Sequence, residues 1–145
     1  MGPTHTQLNI QKIEQINTKA ARFIAHNYTQ IPGITTHIKQ QLNMDFLQLR
    51  RQAHRLTTLY KITNNYIDIE KHEYLQNTTR TNTRNSHNQK YLTYHTHTDT
   101  YKHSFFPKTI AGWNRLPQHI VDSPTTETFR NRIHKHLNMN THTQP

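Results

Sequence analysis

Cysteine is absent from the 145-residue chain, and this absence excludes disulfide bonds, thiolate zinc sites and a cysteine nucleophile. Glycine is scarce, with three residues, and no stretch approaches the roughly eighteen consecutive apolar residues of a membrane-spanning helix. The N-terminus also lacks the basic and then apolar pattern of a secretory signal. We therefore expect a protein that is not secreted and has no membrane partner.

Apolar and acidic residues are both few in this chain. Only 31% of the residues are hydrophobic, whereas a globular protein averages roughly 45–50% when glycine is also counted, so any core is small. Lysine and arginine number 18 against 8 acidic residues, a net charge of +10 that would attract phosphate backbones. A second explanation is open, because the five residue types whose codons begin with G are all scarce. A coding strand poor in G would remove acidic residues without any selection for binding.

Histidine is frequent, with 13 residues, but its surroundings do not indicate a catalytic or metal site. His95 and His97 lie two residues apart, and no carboxylate or cysteine completes a set of three or four converging ligands. An enzyme with histidine as general base is a further hypothesis, but no nucleophile, carboxylate and histidine converge at helical spacing. We therefore expect no metal, no cofactor and no small-molecule substrate.

Apolar residues recur every three or four positions in five segments, which is the spacing of amphipathic helices. Asp45 and Gln48 have the spacing of a capping box before the third segment, and Ser123-Pro124 is typical of a helix start before the last. The predicted helices span residues 8–27, 34–42, 46–63, 107–117 and 124–137. We predict a mainly α protein, a small helical bundle of about five helices with a long polar loop.

The long polar loop is predicted at residues 76–98, where asparagine, threonine and serine dominate. Too few apolar residues occur there to offset the entropy cost of ordering the chain, and only a short extended piece near residues 91–94 is expected. The predicted organisation is a helical subdomain at 1–75, a polar loop or disordered linker at 76–98, an aromatic segment with the closing helix at 99–137, and a free tail at 138–145.

Two sets of residues follow from this pattern. The apolar stripes predict the core, which consists of Ile13, Ile16, Phe23, Leu49, Leu56, Tyr60, Phe105, Phe106, Trp113, Leu116, Phe129 and Ile133. Basic residues away from the stripes are candidates for phosphate contacts with RNA or DNA, although a solvated helix face would show the same pattern. These candidates are Arg50, Arg51, Arg55, Lys61, Arg80, Arg84, Lys90, Arg130, Arg132 and Lys135.

The aromatic segment has a recognisable sequence, YKHSFFPKTIAGWNRLPQHIVDSPTTETFRNRI, at residues 101–133. It resembles the C-terminal end of LINE-type, non-LTR retrotransposon polyproteins, in which two phenylalanines, a proline and Trp-Asn-x-Leu-Pro precede a closing amphipathic helix. Residues 5–24, HTQLNIQKIEQINTKAARFI, are similar to the family's segment just after the polymerase region. Residues 49–69, LRRQAHRLTTLYKITNNYIDI, are similar to its next helix. The three segments occur in the family's order and span nearly the whole chain.

The resemblance implies a C-terminal, post-palm fragment of a reverse transcriptase, the RNA-directed DNA polymerase of a transposable element. In that family catalysis depends on a palm with adjacent aspartates and on a separate N-terminal endonuclease. The four aspartates of this chain, Asp45, Asp68, Asp99 and Asp122, are far apart, so ligands for two-metal phosphoryl transfer are not visible. We therefore expect a truncated fragment that is not an enzyme on its own and has at most non-specific nucleic-acid binding. The rest of a retrotransposon polymerase is a second expected partner, and the resemblance implies a location in the nucleus or the cytoplasm.

An alternative from the binding-module class is a small basic helical protein that a host has adopted for RNA or DNA contact. In the hypothesis of a retrotransposon fragment the aromatic segment is packing, in which Trp113, Phe105, Phe106 and Leu116 fasten the last two helices to the first three. Both hypotheses also predict binding that weakens as the salt concentration rises.

Overall fold

The computed structural model describes residues 3–42, 44, 46–78, 87–95 and 97–141, with side chains from residue 7 to residue 139 in these ranges. Within them the chain is mainly helical and contains no strand. The helices are α1 (Pro3–Ile24), α2 (Ile34–Gln41), α3 (Leu47–Thr63), α4 (Lys71–Tyr74), α5 (Asp99–Lys102), α6 (Phe105–Trp113), α7 (Gln118–Val121) and α8 (Thr126–Thr141). The prediction of a mainly α bundle of about five helices is confirmed, since five of these helices have seven residues or more. The predicted capping box at Asp45 lies outside the described residues.

Two compact units make up the chain, Met1–Arg51 and Gln52–Pro145. The first unit contains α1, α2 and the beginning of α3. The second contains the rest of α3 and all later helices. The two units are defined by contacts in space, whereas the predicted segments are defined by their amino-acid composition. The predicted boundaries after residues 75, 98 and 137 therefore stay predictions.

In the first unit, α1 packs against α2. Asn17 and Ala21 of α1 and Ile38 of α2 are buried, and Leu49 at the start of α3 is half-buried. The turn before α2 ends at Gly33, whose φ of 82° lies in the left-handed region that glycine adopts without steric cost. This turn lets the chain reverse direction, so that α2 can lie along α1.

One carboxylate connects the helices of the first unit. Glu14 of α1 forms an ion pair with the buried Lys39 of α2, with 2.5 Å between Oε1 and Nζ. Its second oxygen accepts a hydrogen bond from the Leu47 amide at 3.1 Å, and Oε1 also accepts from Asn17. Burial by itself would raise the pKa of Glu14, but the hydrogen bonds from Lys39, Leu47 and Asn17 outweigh it and lower the pKa below its usual value. Glu14 is therefore ionised at neutral pH and holds the start of α3 to α1 and α2.

Three predicted core residues of α1 are exposed instead: Ile13 by 41%, Ile16 by 66% and Phe23 by 67%. The face of α1 that the unit covers contains Asn17 and Ala21, and it lies roughly a quarter turn around the helix from the apolar stripe. The core prediction is wrong here because periodicity identifies the apolar side of a helix but does not determine which side a neighbouring helix covers.

The core of the second unit contains residues of α3, α6 and α8. The buried residues among those predicted are Leu56, Tyr60, Trp113, Leu116, Phe129 and Ile133. The Phe129 ring stacks on Tyr60 at 4.4 Å between centroids and on Trp113 at 5.9 Å. The Tyr60 hydroxyl donates a hydrogen bond to the carbonyl of Ser123 at 2.6 Å, so its buried polar atom has a partner. An aromatic cluster thus joins three helices that are distant in sequence.

Phe105 and Phe106, which were also predicted as core residues, are half-buried at the start of α6. Phe106 stacks on Tyr74 of α4 at 4.7 Å, and Phe105 lies edge-on to Phe106 at 5.1 Å. Phe106 therefore stacks on the short helix α4, which is not one of the three helices that the sequence predicts as its packing partners.

The start of α8 lies two residues later than Ser123-Pro124 predicts. Thr125 caps the helix, because its hydroxyl accepts a hydrogen bond from the amide of Thr128 at 3.1 Å. The hydroxyl of Ser123 donates instead to a carbonyl of α7 at 2.7 Å. Ser123 therefore belongs to the turn that follows α7, and Pro124 precedes the helix.

Residues 87–91 of the predicted polar loop pack against the end of α6. An isolated antiparallel bridge joins Asn77 and Tyr91, and Thr78 donates a backbone hydrogen bond to Lys90. His87 and Tyr91 are both buried. A segment with few apolar residues therefore contributes two rings to the core of the second unit.

The Trp-Asn pair of the aromatic segment binds this loop through its polar atoms. The indole N–H of Trp113 donates to the carbonyl of Gln89 at 2.8 Å. The Asn114 side chain accepts from the amide of Tyr91 at 3.0 Å and donates to its carbonyl at 2.7 Å. These three bonds satisfy backbone groups that no sheet or helix would satisfy in this loop. The two residues thus combine core packing with loop attachment.

His87 is fully buried, and both of its ring nitrogens are hydrogen-bonded in the neutral form. Nε2 lies 2.9 Å from the carbonyl of Trp113, which only accepts, so Nε2 carries the proton. Nδ1 accepts from the amide of Gln89 at 3.2 Å. Burial lowers the pKa of His87, and the positive charge of Lys90 lowers it further. The hydrogen bond to Trp113 and the negative charge of Asp122 raise the pKa, but the lowering causes outweigh them. The neutral ring is therefore the form that the folded unit favours.

Candidate nucleic-acid interface

The ten basic residues predicted to contact phosphates differ in their accessibility. The exposed ones are Arg50, Arg51, Arg130 and Lys135, and the half-buried ones are Arg55, Lys61, Lys90 and Arg132. Arg80 and Arg84 lie outside the described residues. The described candidates belong to α3, to the loop end before Tyr91 and to α8, so they are spread over both units.

Both units have an excess of positive charge. The first contains six lysines and arginines against two acidic residues, and the second contains twelve against six. In the first unit Lys39 is buried in its ion pair with Glu14, whereas Arg50 and Arg51 are exposed. The accessible charge of that unit is therefore basic, as a phosphate-binding surface requires.

In the second unit, basic side chains of two different helices act on each other electrostatically. Lys108 of α6 lies on the surface, yet the surrounding protein removes part of the hydration of its ammonium and lowers its pKa. The positive charge of Arg55 on α3 lowers the pKa further. Lys108 is absent from the predicted candidates, because it occurs within the aromatic segment and no local spacing relates it to Arg55. Only the packing of α6 near α3 places the two charges together.

Arg132 forms hydrogen bonds within the second unit. Its guanidinium donates to the carbonyl of His119 and, at 3.2 Å, to the hydroxyl of Ser123. These bonds hold α8 to the end of α7, where the carbonyls have no partner within so short a helix. Arg132 is therefore a packing residue, whereas Arg130 and Lys135 of the same helix are exposed to solvent.

A polar cavity of about 370 Å³ lies in the second unit near the end of α3. It is lined by Thr63, Asn64, Lys71, His72, Leu75, Asn77, Asn88, Gln89 and Tyr91. The Lys71 ammonium donates to the carbonyl of Thr63 at 3.3 Å and to the side chain of Asn65 at 2.7 Å. Lys71 thereby caps the end of α3, and none of the described candidates for phosphate contact lines this cavity.

Two further properties of the described residues concern chemistry and location. No three histidine, aspartate or glutamate side chains in this part of the chain lie close enough to hold a metal ion. None of its helices is both long enough and apolar enough to cross a membrane.

Comparisons with known proteins found no matching family model, no matching curated protein and no matching solved structure. The resemblance to retrotransposon polyproteins therefore stays a prediction from the residues of the three colinear segments. The structure itself defines a class, a small mainly helical protein with an excess of basic residues in both units.

Proposed function

We propose that the chain binds RNA or DNA through phosphate contacts without sequence preference and without catalysing a reaction. Its origin in this proposal is the C-terminal, post-palm region of a non-LTR retrotransposon reverse transcriptase. The observation that supports it best is the excess of basic residues in both units, to which Arg55 and Lys108 contribute two charges on different helices of the second unit.

The physical argument starts from the repulsion between these two groups. Each positive charge makes the other less favourable, and after the loss of hydration the charge of Arg55 is the second cause of the lowered pKa of Lys108. A phosphate near both groups would replace the repulsion by two attractions and would release condensed counterions from the nucleic acid. An arginine guanidinium forms charge-assisted hydrogen bonds with a phosphate, often through two parallel N–H donors, and a lysine ammonium adds a second positive charge.

The proposed binding is compatible with either origin, a retrotransposon fragment or a host-adopted module. The rest of a retrotransposon polymerase remains a proposed partner of the fragment. The codon-composition explanation makes the opposite prediction, because a charge without selection would give weak binding that no particular basic pair controls.

Binding can be measured by fluorescence anisotropy with a short single-stranded RNA, the corresponding DNA and a duplex. We expect the logarithm of the affinity to fall linearly with the logarithm of salt concentration between about 50 and 200 mM. Sequence changes in the oligonucleotide should leave the affinity nearly unchanged, because phosphates contain no sequence information. Absence of binding at low salt would overturn the proposal and favour the codon-composition explanation.

A matched pair of double variants tests the assigned site. Arg55→Ala with Lys108→Ala should lower the salt slope on a single strand by about 1.4, since each lost phosphate contact removes about 0.7. Lys102→Ala with Arg115→Ala removes the same two charges from exposed positions of the same unit and should change the slope less. Equal effects of the two double variants would show that overall charge, and not the site at Arg55 and Lys108, controls binding.

A further inference from the structure

Helix α1 exposes a row of apolar side chains. Ile13 is exposed by 41%, Ile16 by 66% and Phe23 by 67%, and the exposed Ala20 lies between them. We call Ile13, Ile16, Ala20 and Phe23 the α1 seam. Contiguous apolar surface on a small protein marks interaction sites, because contact with a partner removes that surface from water.

The spacing of the α1 seam is that of one helix of a coiled coil. Its residues follow one another at intervals of three, four and three, which are the a and d positions of a heptad. Side chains at a and d positions pair with another helix in coiled coils, whereas a helix lying on a membrane places a large apolar face opposite a strongly charged one. The spacing therefore favours a helical occupant.

The first unit does not bury the α1 seam. The side chains of α1 that the unit buries are Asn17 and Ala21, and the carboxylate of Glu14 faces Lys39 of α2. The seam lies beside this covered face and remains accessible along about three turns of the helix.

Basic side chains border the seam on one side. The g positions within α1 are Lys12 and Lys19, both of them exposed. The e positions are Ile10, Asn17 and Ile24. In coiled coils the e and g residues choose the partner through interhelical ion pairs. Because neither border contains an acidic residue, charge complementarity requires a partner with acidic residues beside its apolar row.

A second copy of the chain does not meet this requirement. In an antiparallel pair, Lys19 would face Lys19 of the other copy, and the two like charges would repel. In a parallel pair, Lys12 would face Asn17 of the other copy, which offers no ion pair. Pairing with an acidic helix avoids the repulsion and adds attraction to the apolar contact.

We infer that the α1 seam is a docking surface for an amphipathic helix of another protein whose apolar row is bordered by acidic residues. The contact buries Ile16 and Phe23 and places carboxylates opposite Lys12 and Lys19. This inference does not depend on nucleic-acid binding, because its residues belong to α1 and the proposed phosphate site is formed by α3 and α6.

The test uses the full-length chain and two synthetic amphipathic peptides with the same apolar a and d residues. One peptide has glutamate at its e and g positions, and the other has lysine there. We expect isothermal titration calorimetry to show binding of the glutamate peptide at least about tenfold tighter than that of the lysine peptide, because charge complementarity sets partner choice. Lys12→Glu with Lys19→Glu should reverse this preference.

Variants of the seam identify the surface that binds. Ile16→Asn with Phe23→Asn should abolish binding of the glutamate peptide, whereas the fold should remain, because both side chains are largely exposed. The control is Leu92→Asn with Ile69→Asn, two apolar residues of the second unit that are exposed by 54% and 40%. This control should bind the peptide like the unchanged chain, and circular dichroism should show equal helix content in all variants.

Three results would overturn the inference. The first is no binding of the glutamate peptide, or equal binding by the Ile16→Asn and Phe23→Asn double variant. The second is a dimer in light scattering that this double variant dissociates, which would assign the seam to a second copy. The third is seam-dependent binding to vesicles of anionic phospholipid without binding of the peptide, which would assign it to a membrane surface.

Discussion

Replacing Trp113 by alanine is expected to destabilise the second unit by about 4–6 kcal/mol. The side chain is fully buried and lies against Phe129 and, edge to face, against His87, each at 5.9 Å between ring centroids. Loss of such a ring costs about 3–5 kcal/mol through lost transfer energy and the cavity that remains. The Gln89 carbonyl also loses its indole donor, which adds about 1 kcal/mol. Since domains are stable by about 5–15 kcal/mol, the loss is a large part of the total.

The Trp113→Phe variant separates the hydrogen bond from the packing. It retains a large aromatic ring beside Phe129 and loses the indole N–H, so we expect a loss on the order of 1–2 kcal/mol. Urea unfolding followed by far-ultraviolet circular dichroism measures both variants. Trp113 is the only tryptophan, so its fluorescence in the unchanged chain reports the core of the second unit independently.

Leu92→Ala is the control in the same unit, because the Leu92 side chain is exposed by 54% and its truncation should change stability by no more than about 0.5 kcal/mol. An unchanged urea midpoint in Trp113→Ala would refute the reasoning. It would mean that the ring contributes no packing energy and that the loop containing His87 and Tyr91 is held by other contacts.

Other predictions concern single polar contacts. Glu14→Gln should destabilise the first unit by about 2 kcal/mol in urea unfolding, because Lys39 stays buried without its counter-charge, and an unchanged midpoint would contradict this. Below about pH 6.5 the unfolded chain protonates His87 before the folded chain does, so stability should fall with decreasing pH. The melting temperature of the unchanged chain should fall as the pH decreases from about 8 to 5, and it should fall less in His87→Gln. An equal pH dependence in that variant would exclude His87 as its source. Tyr60→Phe should cost about 1 kcal/mol through the bond to Ser123, and no loss would show that water replaces it.

Helix positions were largely predictable because periodicity and capping are local properties. The stripe through Leu56 and Tyr60 predicts α3, and the spacing of Phe129 and Ile133 predicts α8. The exact start of α8 was not predictable, since Ser123 and Thr125 both have hydroxyls suited to a cap and only the contact of Ser123 with α7 leaves the cap to Thr125.

The phosphate-binding candidates were predictable only as a set of charges. Composition identifies an excess of basic residues, and helical spacing places Arg51 and Arg55 on the same side of α3. It could not distinguish Arg132, which is bonded to backbone and hydroxyl groups, from the exposed Arg130 of the same helix. It also could not relate Lys108 to Arg55, because their proximity depends on packing between helices about 50 residues apart in sequence.

By itself, the sequence determined the helical class, the absence of thiol chemistry, the positive charge and the apolar side of each main helix, because these depend on residue types and on spacing within one turn or two. Only the tertiary structure decided which side of α1 is covered, that His87 of a polar loop is buried beside Trp113, and that the charges of Lys108 and Arg55 act on each other. Those outcomes require contacts between segments distant in the chain. Local spacing contains no information about which of several apolar or basic neighbours the folded chain brings together.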